Sequence, residues 1–324
     1  MRGIKGIEVD EVKVSKYGIK YDREWTVADN TGKHSCLTQS QELKFTQLRQ
    51  KIEKNEATKE KHLVISIIES CRDQAPAGLS HEIRIPIRHI EGELVDTGKG
   101  QGVRQGKEFD EWFTKFLGRE VMVLRSVTSS KKGLPLDVLK WGTSEDTTRT
   151  FVSKAVFHTV NEASTKDLEK RVLERYPDPE EREKIQVSSM AFRPNIIIDT
   201  GVPYDEDLIQ EFRIANTFAR NVGFCARCKA VTINYDTNER NPELEPNPTL
   251  NTYRKHALGT LFGTYHMVEI IPDEATFKKL LPGFPVPTDR KFSAKYGIVR
   301  VGDNIQVRVK EQRITFDPEF QAKK

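Results

Sequence analysis

Leu63-Val64-Ile65-Ser66-Ile67-Ile68 is six residues long, and five of them carry aliphatic side chains. A run this short and dense, rich in branching at Cβ, reads as a buried strand. The same signal extends in both directions. Ile83, Ile85 and Ile87 alternate with polar residues, and Val121-Met122-Val123-Leu124 is another compact apolar run. Upstream, Trp25-Thr26-Val27 precedes a turn at Asp29-Asn30-Thr31-Gly32. Before it, Ile7, Val9, Val12 and Val14 punctuate polar residues until Tyr17-Gly18 breaks the pattern. Between these strands, Glu108 to Leu117 has helical spacing, with Phe109, Trp112, Phe113 and Phe116 on one face. That face is read as core.

Ser126 to Thr147 is rich in Ser, Thr, Lys and Gly and reads as a linker or long surface loop. Beyond it, Phe157 to Val160 reads as a short strand. Ser164-Thr165-Lys166-Asp167 resembles a helix cap, with Leu168, Val172 and Leu173 as the apolar face and Tyr176-Pro177-Asp178-Pro179 as the stop. Ile196-Ile197-Ile198 reads as a buried strand. Ile298 to Val301 and Ile305 to Val309 flank Gly302-Asp303-Asn304, a hairpin signal. Strands outnumber helices and no fixed period recurs. The expected class is therefore α+β, predominantly β, a barrel or sandwich with a few helices.

The 324 residues suffice for two domains. With 36% hydrophobic and 31% charged residues, the chain can bury a core and remain soluble. A net charge of +4 makes no case for nucleic acid. No apolar run approaches the roughly 18 residues of a membrane helix. The N-terminus lacks the features of a signal or transit peptide, so the chain as written is expected to be cytoplasmic. Four cysteines (Cys36, Cys71, Cys225 and Cys228) do not suggest a disulfide framework.

The sharpest local feature is Phe224-Cys225-Ala226-Arg227-Cys228. Two thiols at this spacing can ligate zinc, form a redox disulfide, or leave one thiolate for another metal. Zinc normally needs four ligands, and a second cysteine pair is missing, although His256 or His266 could complete a site. A redox dithiol expects a helix start, whereas Lys229 to Ile233 reads as a strand. A single thiolate on a soft, high-valent metal stays open, with Arg227 favouring its charged form. So does simple packing of both cysteines in a barrel. Phe192-Arg193-Pro194-Asn195 offers an Arg that could grip a phosphate and an Asn that could recognise a heterocycle, or an ordinary surface Arg and turn. In Tyr21-Asp22-Arg23-Glu24-Trp25, Arg23 is either a further anion clamp or a partner of Asp22 or Glu24. In Leu261-Phe262-Gly263-Thr264-Tyr265, Gly263 permits close backbone approach and Tyr265 offers a hydroxyl, or the stretch is a packed aromatic beside a bulge.

In chain order, with Asn161-Glu162-Ala163-Ser164 between the first two, these segments resemble MOSC-domain proteins, and most closely the mitochondrial amidoxime-reducing component group. Thr249-Leu250-Asn251-Thr252-Tyr253-Arg254 and Val301-Gly302-Asp303 add to the likeness, which runs from about Gly3 to Val309. The resemblance implies a MOSC N-terminal β-barrel over 1–127, a linker at 128–147, a MOSC domain over 148–310 and a tail at 311–324. The first strand is expected to join the second barrel. It implies a molybdenum–molybdopterin cofactor (the Mo cofactor) ligated by Cys228. Arg23, Arg193, Asn195, Ala226, Arg227 and Tyr265 are the matching cofactor contacts, and Cys225 is left as a packing residue. Two places depart from the pattern. Arg2-Gly3 fall where family members carry Lys-Ser in a preceding strand, which leaves open a shortened form and a mitochondrial location for a longer one. Ser153-Lys154-Ala155 stands where acidic and small residues are usual, although Lys154 could still meet an anionic cofactor.

The implied activity is reduction of N-hydroxylated or N-oxygenated compounds. The electrons would come from an external donor such as a cytochrome b5-type protein and its reductase, since the chain has no haem or ferredoxin motif. One alternative is a molybdenum-cofactor sulfur carrier or binding module associated with pyridoxal-phosphate-dependent sulfuration. Another is a non-catalytic barrel that has lost the cofactor. Glu162 is read as a helix-start carboxylate.

Overall fold

The structure is a computed structural model that describes residues 1–15, 17–88, 92–127, 151, 155–183, 185–235, 237–280, 282, 286 and 297–311. The linker expected at 128–147, Lys154, and all but the first residue of the expected tail lie outside the described residues. Two compact units form. One gathers residues 1–8, the described part of 21–127 and Phe151; the other gathers 9–20 and the described residues from 155 onward. Both are predominantly β with few helices, as the strand signals predicted. No helix among the described residues is long and apolar enough to cross a membrane.

The first two strands, β1 (Glu11–Ser15) and β2 (Gly18–Ile19), belong to the second unit. The first unit contains β3 (Trp25–Asp29), β4 (Leu48–Lys54), β5 (Lys61–Ile67), β6 (Glu82–Pro86), β7 (Leu94–Asp96), β8 (Gln101–Arg104), α1 (Lys107–Leu117) and β9 (Val121–Ser126). They form two antiparallel sheets, β3-β9-β8-β7 and β4-β5-β6. The apolar run at 63–68 lies mostly in β5, the central strand of its sheet, with Leu63, Val64, Ile65 and Ile67 buried. Phe109, Trp112, Phe113 and Phe116 of α1 share one core with Trp25, Val27, Leu63, Ile65, Ile85 and Val123. Helix α1 stops at Gly118, whose left-handed backbone (φ 74°) costs a glycine little.

The second unit continues with β10 (Phe157–Asn161), α2 (Glu162–Arg175), α3 (Pro179–Glu183), β11 (Ile196–Ile198), β12 (Ile209–Ile214), β13 (Thr217–Ala226), β14 (Ile233–Asn234) and β15 (Glu239–Arg240). It ends with α4 (Asn247–Asn251), β16 (Lys255–His256), β17 (Gly259–Ile270), α5 (Glu274–Leu280), β18 (Gly297–Arg300) and β19 (Ile305–Val309). The main sheet runs β11-β10-β17-β13-β12-β19, and β16 pairs β17 off this path. The β10–β11 pair is parallel and the other pairs are antiparallel. A smaller sheet has the order β18-β1-β2, so the first strand of the chain pairs with residues nearly 300 positions away. Val14 and Val299 bring that sheet into the core that holds Phe157, Phe212, Ala219 and Val268.

Four local expectations are corrected. The strands flanking Gly302 make no hairpin: β18 bonds to β1 and β19 to β12, so the turn carries the chain from one sheet to another. The cap of α2 is Asn161 rather than Ser164. Its backbone is still extended, its side chain accepts from Ala163 N at 3.3 Å, and the helix starts directly after the strand. Ser164 lies inside the helix and donates to Glu206 Oε2 at 2.7 Å. Residues Lys229–Thr232 form a 3₁₀ turn, and only Ile233–Asn234 enter a strand. Ile196–Ile198 is an edge strand, with Ile197 43% exposed, because among the described residues β10 alone pairs with it.

Candidate functional site

The two longest strands, β13 and β17, pair through most of their length and then slip. Register shifts fall between Asn221 and Gly223 and between Phe224 and Ala226. At the second shift, Phe224 faces Thr264 and Ala226 faces Leu261, so Phe262 and Gly263 together oppose Cys225. This is a bulge, which bends a strand and re-aims its side chains. Gly263 sits there at φ 75°, and a Cβ on it would come within 2.7 Å of both His158 Nε2 and Thr159 O. The glycine read from sequence as permitting close approach does so toward β10.

Past the bulge the strand ends and the motif divides. Cys225 is 3% exposed; Cys228 is exposed, at the entry to the 3₁₀ turn, and makes no side-chain capping bond there. Cys225 is buried, as the packing residue of the sequence reading would be, but its sulfur also has polar neighbours. Its Sγ lies 2.8 Å from the Tyr265 hydroxyl and is touched by Nη2 of Arg227. Alternation along β13 turns Cys225 inward, and the bulge brings it beside Tyr265 of the neighbouring strand.

Arg227 is fixed on several sides. Its backbone N donates to Thr260 O at 2.8 Å, and its Nη1 donates to Phe192 O at 3.1 Å. Its guanidinium carbon stands 5.5 Å from the Phe192 ring centre, and that ring stacks on Phe262 at 4.2 Å. The Nε atom is buried without a hydrogen-bond partner, and no carboxylate among the described residues pairs with this side chain. Burial pushes the guanidinium below its ordinary value, with Tyr265 and Cys228 facing it in the opposite sense. An arginine nonetheless stays protonated, so a cation is held beside both thiols.

The Phe192-Arg193-Pro194-Asn195 segment follows a 3₁₀ turn (Ser189–Phe192) whose C-cap is Arg193, in the left-handed region at φ 57°. Arg193 Nη1 donates to the Tyr235 hydroxyl at 3.4 Å. Asn195 ties this turn to β10: its Oδ1 accepts from His158 N at 3.0 Å, and its N donates to His158 O at 2.7 Å. The His158 ring lies 5.4 Å from that of Tyr265. Sequence reasoning missed His158 and Tyr235 and gave Phe192 no role within its segment, because no spacing marks residues that meet only through strand pairing and a turn.

The structure thus links Arg193, Asn195, Ala226, Arg227, Tyr265 and both cysteines within the second unit. Arg23 belongs to the first unit, where it pairs with Asp22 at 2.6 Å. Among the described residues, no group of three or more His, Cys, Asp or Glu could hold a metal ion. His266 is fully buried, with Nδ1 3.2 Å from Thr159 Oγ1, and burial lowers its pKa to about 3. Glu162 is the first residue of α2 and accepts from Ser189 Oγ.

Residues 146–306 match the MOSC domain, and residues 1–120 match the MOSC N-terminal beta barrel domain. The chain is 26% identical over 272 residues to a molybdenum cofactor sulfurase of Oryza sativa subsp. japonica, covering 81% of this chain and 31% of that protein. It is 27% identical over 279 residues to the sulfurase of Arabidopsis thaliana (83% and 32%) and 30% over 264 residues to that of Drosophila mojavensis (81% and 29%). It therefore spans about a third of the length of these relatives. A solution structure from Bordetella bronchiseptica is 16% identical with a TM-score of 0.24, covering 35% of this chain and 85% of that one.

Proposed function

Because the chain belongs to the MOSC-domain family, we propose that it binds the molybdenum cofactor through its second unit, with Cys228 as the thiolate that meets the metal. One observation carries this reading. An exposed soft donor stands next to an enclosed arginine that has a buried, unpartnered Nε and no carboxylate counter-ion among the described residues. That donor set fits a single thiolate ligand for an anionic, metal-bearing group. It does not fit zinc, which would need a cluster that the described residues lack.

When bound, the group supplies a metal that exchanges oxygen or sulfur ligands and electrons. The chain's residues have separate tasks. Cys228 presents its sulfur at the surface end of the motif. Arg227, with both Nη atoms held by Phe192 O and Cys225 Sγ, lends charge rather than a free two-pronged grip, and leaves Nε as a donor. Asn195 fixes the Arg193 turn against β10, so that the arginine's orientation follows from the sheet.

The named relatives favour sulfur handling, so the chain serves as the cofactor-binding part of a sulfuration system whose sulfur comes from a pyridoxal-phosphate-dependent partner. The second reading is reduction of N-oxygenated compounds with electrons from a cytochrome b5-type donor and its reductase. It is supported by the ordered Phe-Arg-Pro-Asn, Cys-Ala-Arg-Cys and Leu-Phe-Gly-Thr-Tyr segments. The test is purification from a cofactor-competent host, with molybdenum content, persulfide by mass spectrometry and N-hydroxyl reductase turnover measured together. Molybdenum near one per chain, lost in Cys228→Ala, is the expected result. A persulfide on Cys228 without turnover selects sulfuration, and turnover with the haem donor selects reduction. Molybdenum near zero in the unaltered protein sinks both readings.

A further inference from the structure

Cys228 is exposed at the entry to the Lys229–Thr232 turn and makes no side-chain capping bond there. An exposed residue at the start of a short turn keeps one conformation only if its backbone is tied down. Two side chains from other segments do this. Arg240 of β15 donates from Nη1 to Lys229 O at 2.8 Å and to Thr232 Oγ1 at 3.4 Å. The Thr232 hydroxyl donates to the same Lys229 carbonyl at 2.8 Å. One guanidinium thus joins the first and last residues of the turn. Strand pairing sets it there: Arg240 lies opposite Ile233, the residue after the turn, and Asn241 N donates to Thr232 O at 2.7 Å. From another side, Asn247 at the start of α4 donates from Nδ2 to Cys228 O at 3.4 Å. A carbonyl only accepts, so the amide turns its nitrogen toward it, and its Oδ1 is left buried with no hydrogen-bond partner.

We propose that Arg240 is a positioning residue for Cys228: it clamps the turn so that the sulfur is presented in one orientation, with Asn247 as a second and weaker hold. Both act on backbone carbonyls, of residues 229 and 228 respectively. Arginine suits the task because a charged donor binds a carbonyl more strongly than a neutral one, and its planar fork reaches two acceptors in a fixed geometry. The longer bond and neutral donor of Asn247 rank it second. A ligand whose supporting shell is already in place need not be ordered when the metal arrives. The inference rests on the reading of Cys228 as the metal's ligand, but the clamp belongs to the metal-free chain, so each can fail without the other.

The test is a nitroxide spin label on Cys228 of the full chain without metal, its rotational mobility read by electron paramagnetic resonance under native conditions. Cys36, Cys71 and Cys225 are buried, and Cys228→Ser measures any label they take up. Arg240→Leu should shorten the correlation time of the label about twofold or more. Arg240→Lys, which keeps the charge but not the fork, and Asn247→Leu should each shorten it less. In protein from a cofactor-competent host, Arg240→Leu should hold molybdenum about tenfold less tightly during dialysis. Unchanged mobility in Arg240→Leu overturns the proposal, and with a lowered urea midpoint it would make the residue merely structural. Raised mobility with molybdenum held as firmly as in the unaltered chain overturns it too. Far-UV circular dichroism shows which variants keep their fold, and if Arg240→Leu does not, Arg240→Lys and Asn247→Leu decide. Raised mobility with no molybdenum in the unaltered protein would uphold the clamp and refute the cofactor reading; unchanged mobility with molybdenum bound would do the reverse.

Discussion

Exposure separates the consequences of changing single residues. Cys228→Ala removes an exposed thiol with no capping bond, so the unfolding free energy should shift by no more than about 0.5 kcal/mol. A large shift in the urea midpoint would mean that the sulfur is structural. Glu206 is the opposite case. It is fully buried; burial first, and the neighbouring Asp207 second, raise its carboxyl to about 7 from an ordinary 4.5. The native state therefore holds this proton more tightly than the unfolded chain. Its stabilising contribution is full below about 4.5, declines as pH rises, and is lost above about 7. Glu206→Gln should abolish that decline, making the variant more stable than wild type at pH 8 by an amount on the order of 3 kcal/mol. Urea unfolding of both proteins at pH 5 and pH 8 isolates the term. Equal pH dependence in the two would show that Glu206 is charged throughout.

At the scale of elements, the site is made by one irregularity in the pairing of β13 with β17. Gly263 allows it, because φ 75° is open to glycine and the space where a Cβ would sit is already filled by His158 and Thr159. Gly263→Ala should destabilise by about 2 kcal/mol or more. It should also disturb the Cys225–Tyr265 contact, visible as a changed tyrosine environment in near-ultraviolet circular dichroism. A stable variant with an unchanged spectrum would argue against the bulge as the positioning device. Neither β13 nor β17 was read as a strand from the sequence; alternation and β-branching marked β5, β6 and β9, but not the pairing of any strand. The turn at Gly302-Asp303-Asn304 looked like a hairpin because hairpin turns and connections between sheets use the same residues. The cap of α2 was misplaced because Ser164 and Asn161 are both capping residues, and only the end of β10 selects Asn161.

At the scale of the whole molecule, residues from opposite ends of the chain complete one sheet, with β1 lying between β18 and β2. Val14, fully buried and opposite Gly297, is where that closure enters the core. Val14→Asp should cost about 3 kcal/mol or more, by placing a charge in an apolar core. The loss should fall on the second unit, so hydrogen exchange should accelerate in β12 and β18 while β5 of the first unit stays protected. Uniform acceleration would mean that the two units unfold together. The sequence by itself determined the predominantly β class, the aromatic helix face and, through ordered segments, the family and Cys228 as the residue to watch. These are carried by local periodicity and motif order, which survive without knowledge of contacts. Only the tertiary structure decided that the buried sulfur of Cys225 meets Tyr265 and Arg227. Only it decided that both Nη atoms of Arg227 are held by the protein, and that Arg23 pairs with Asp22 within the first unit. The reason is physical: a thiol's role depends on which polar groups meet its sulfur, and here these are the Tyr265 hydroxyl, from a strand 40 residues away, and Arg227 past a bulge.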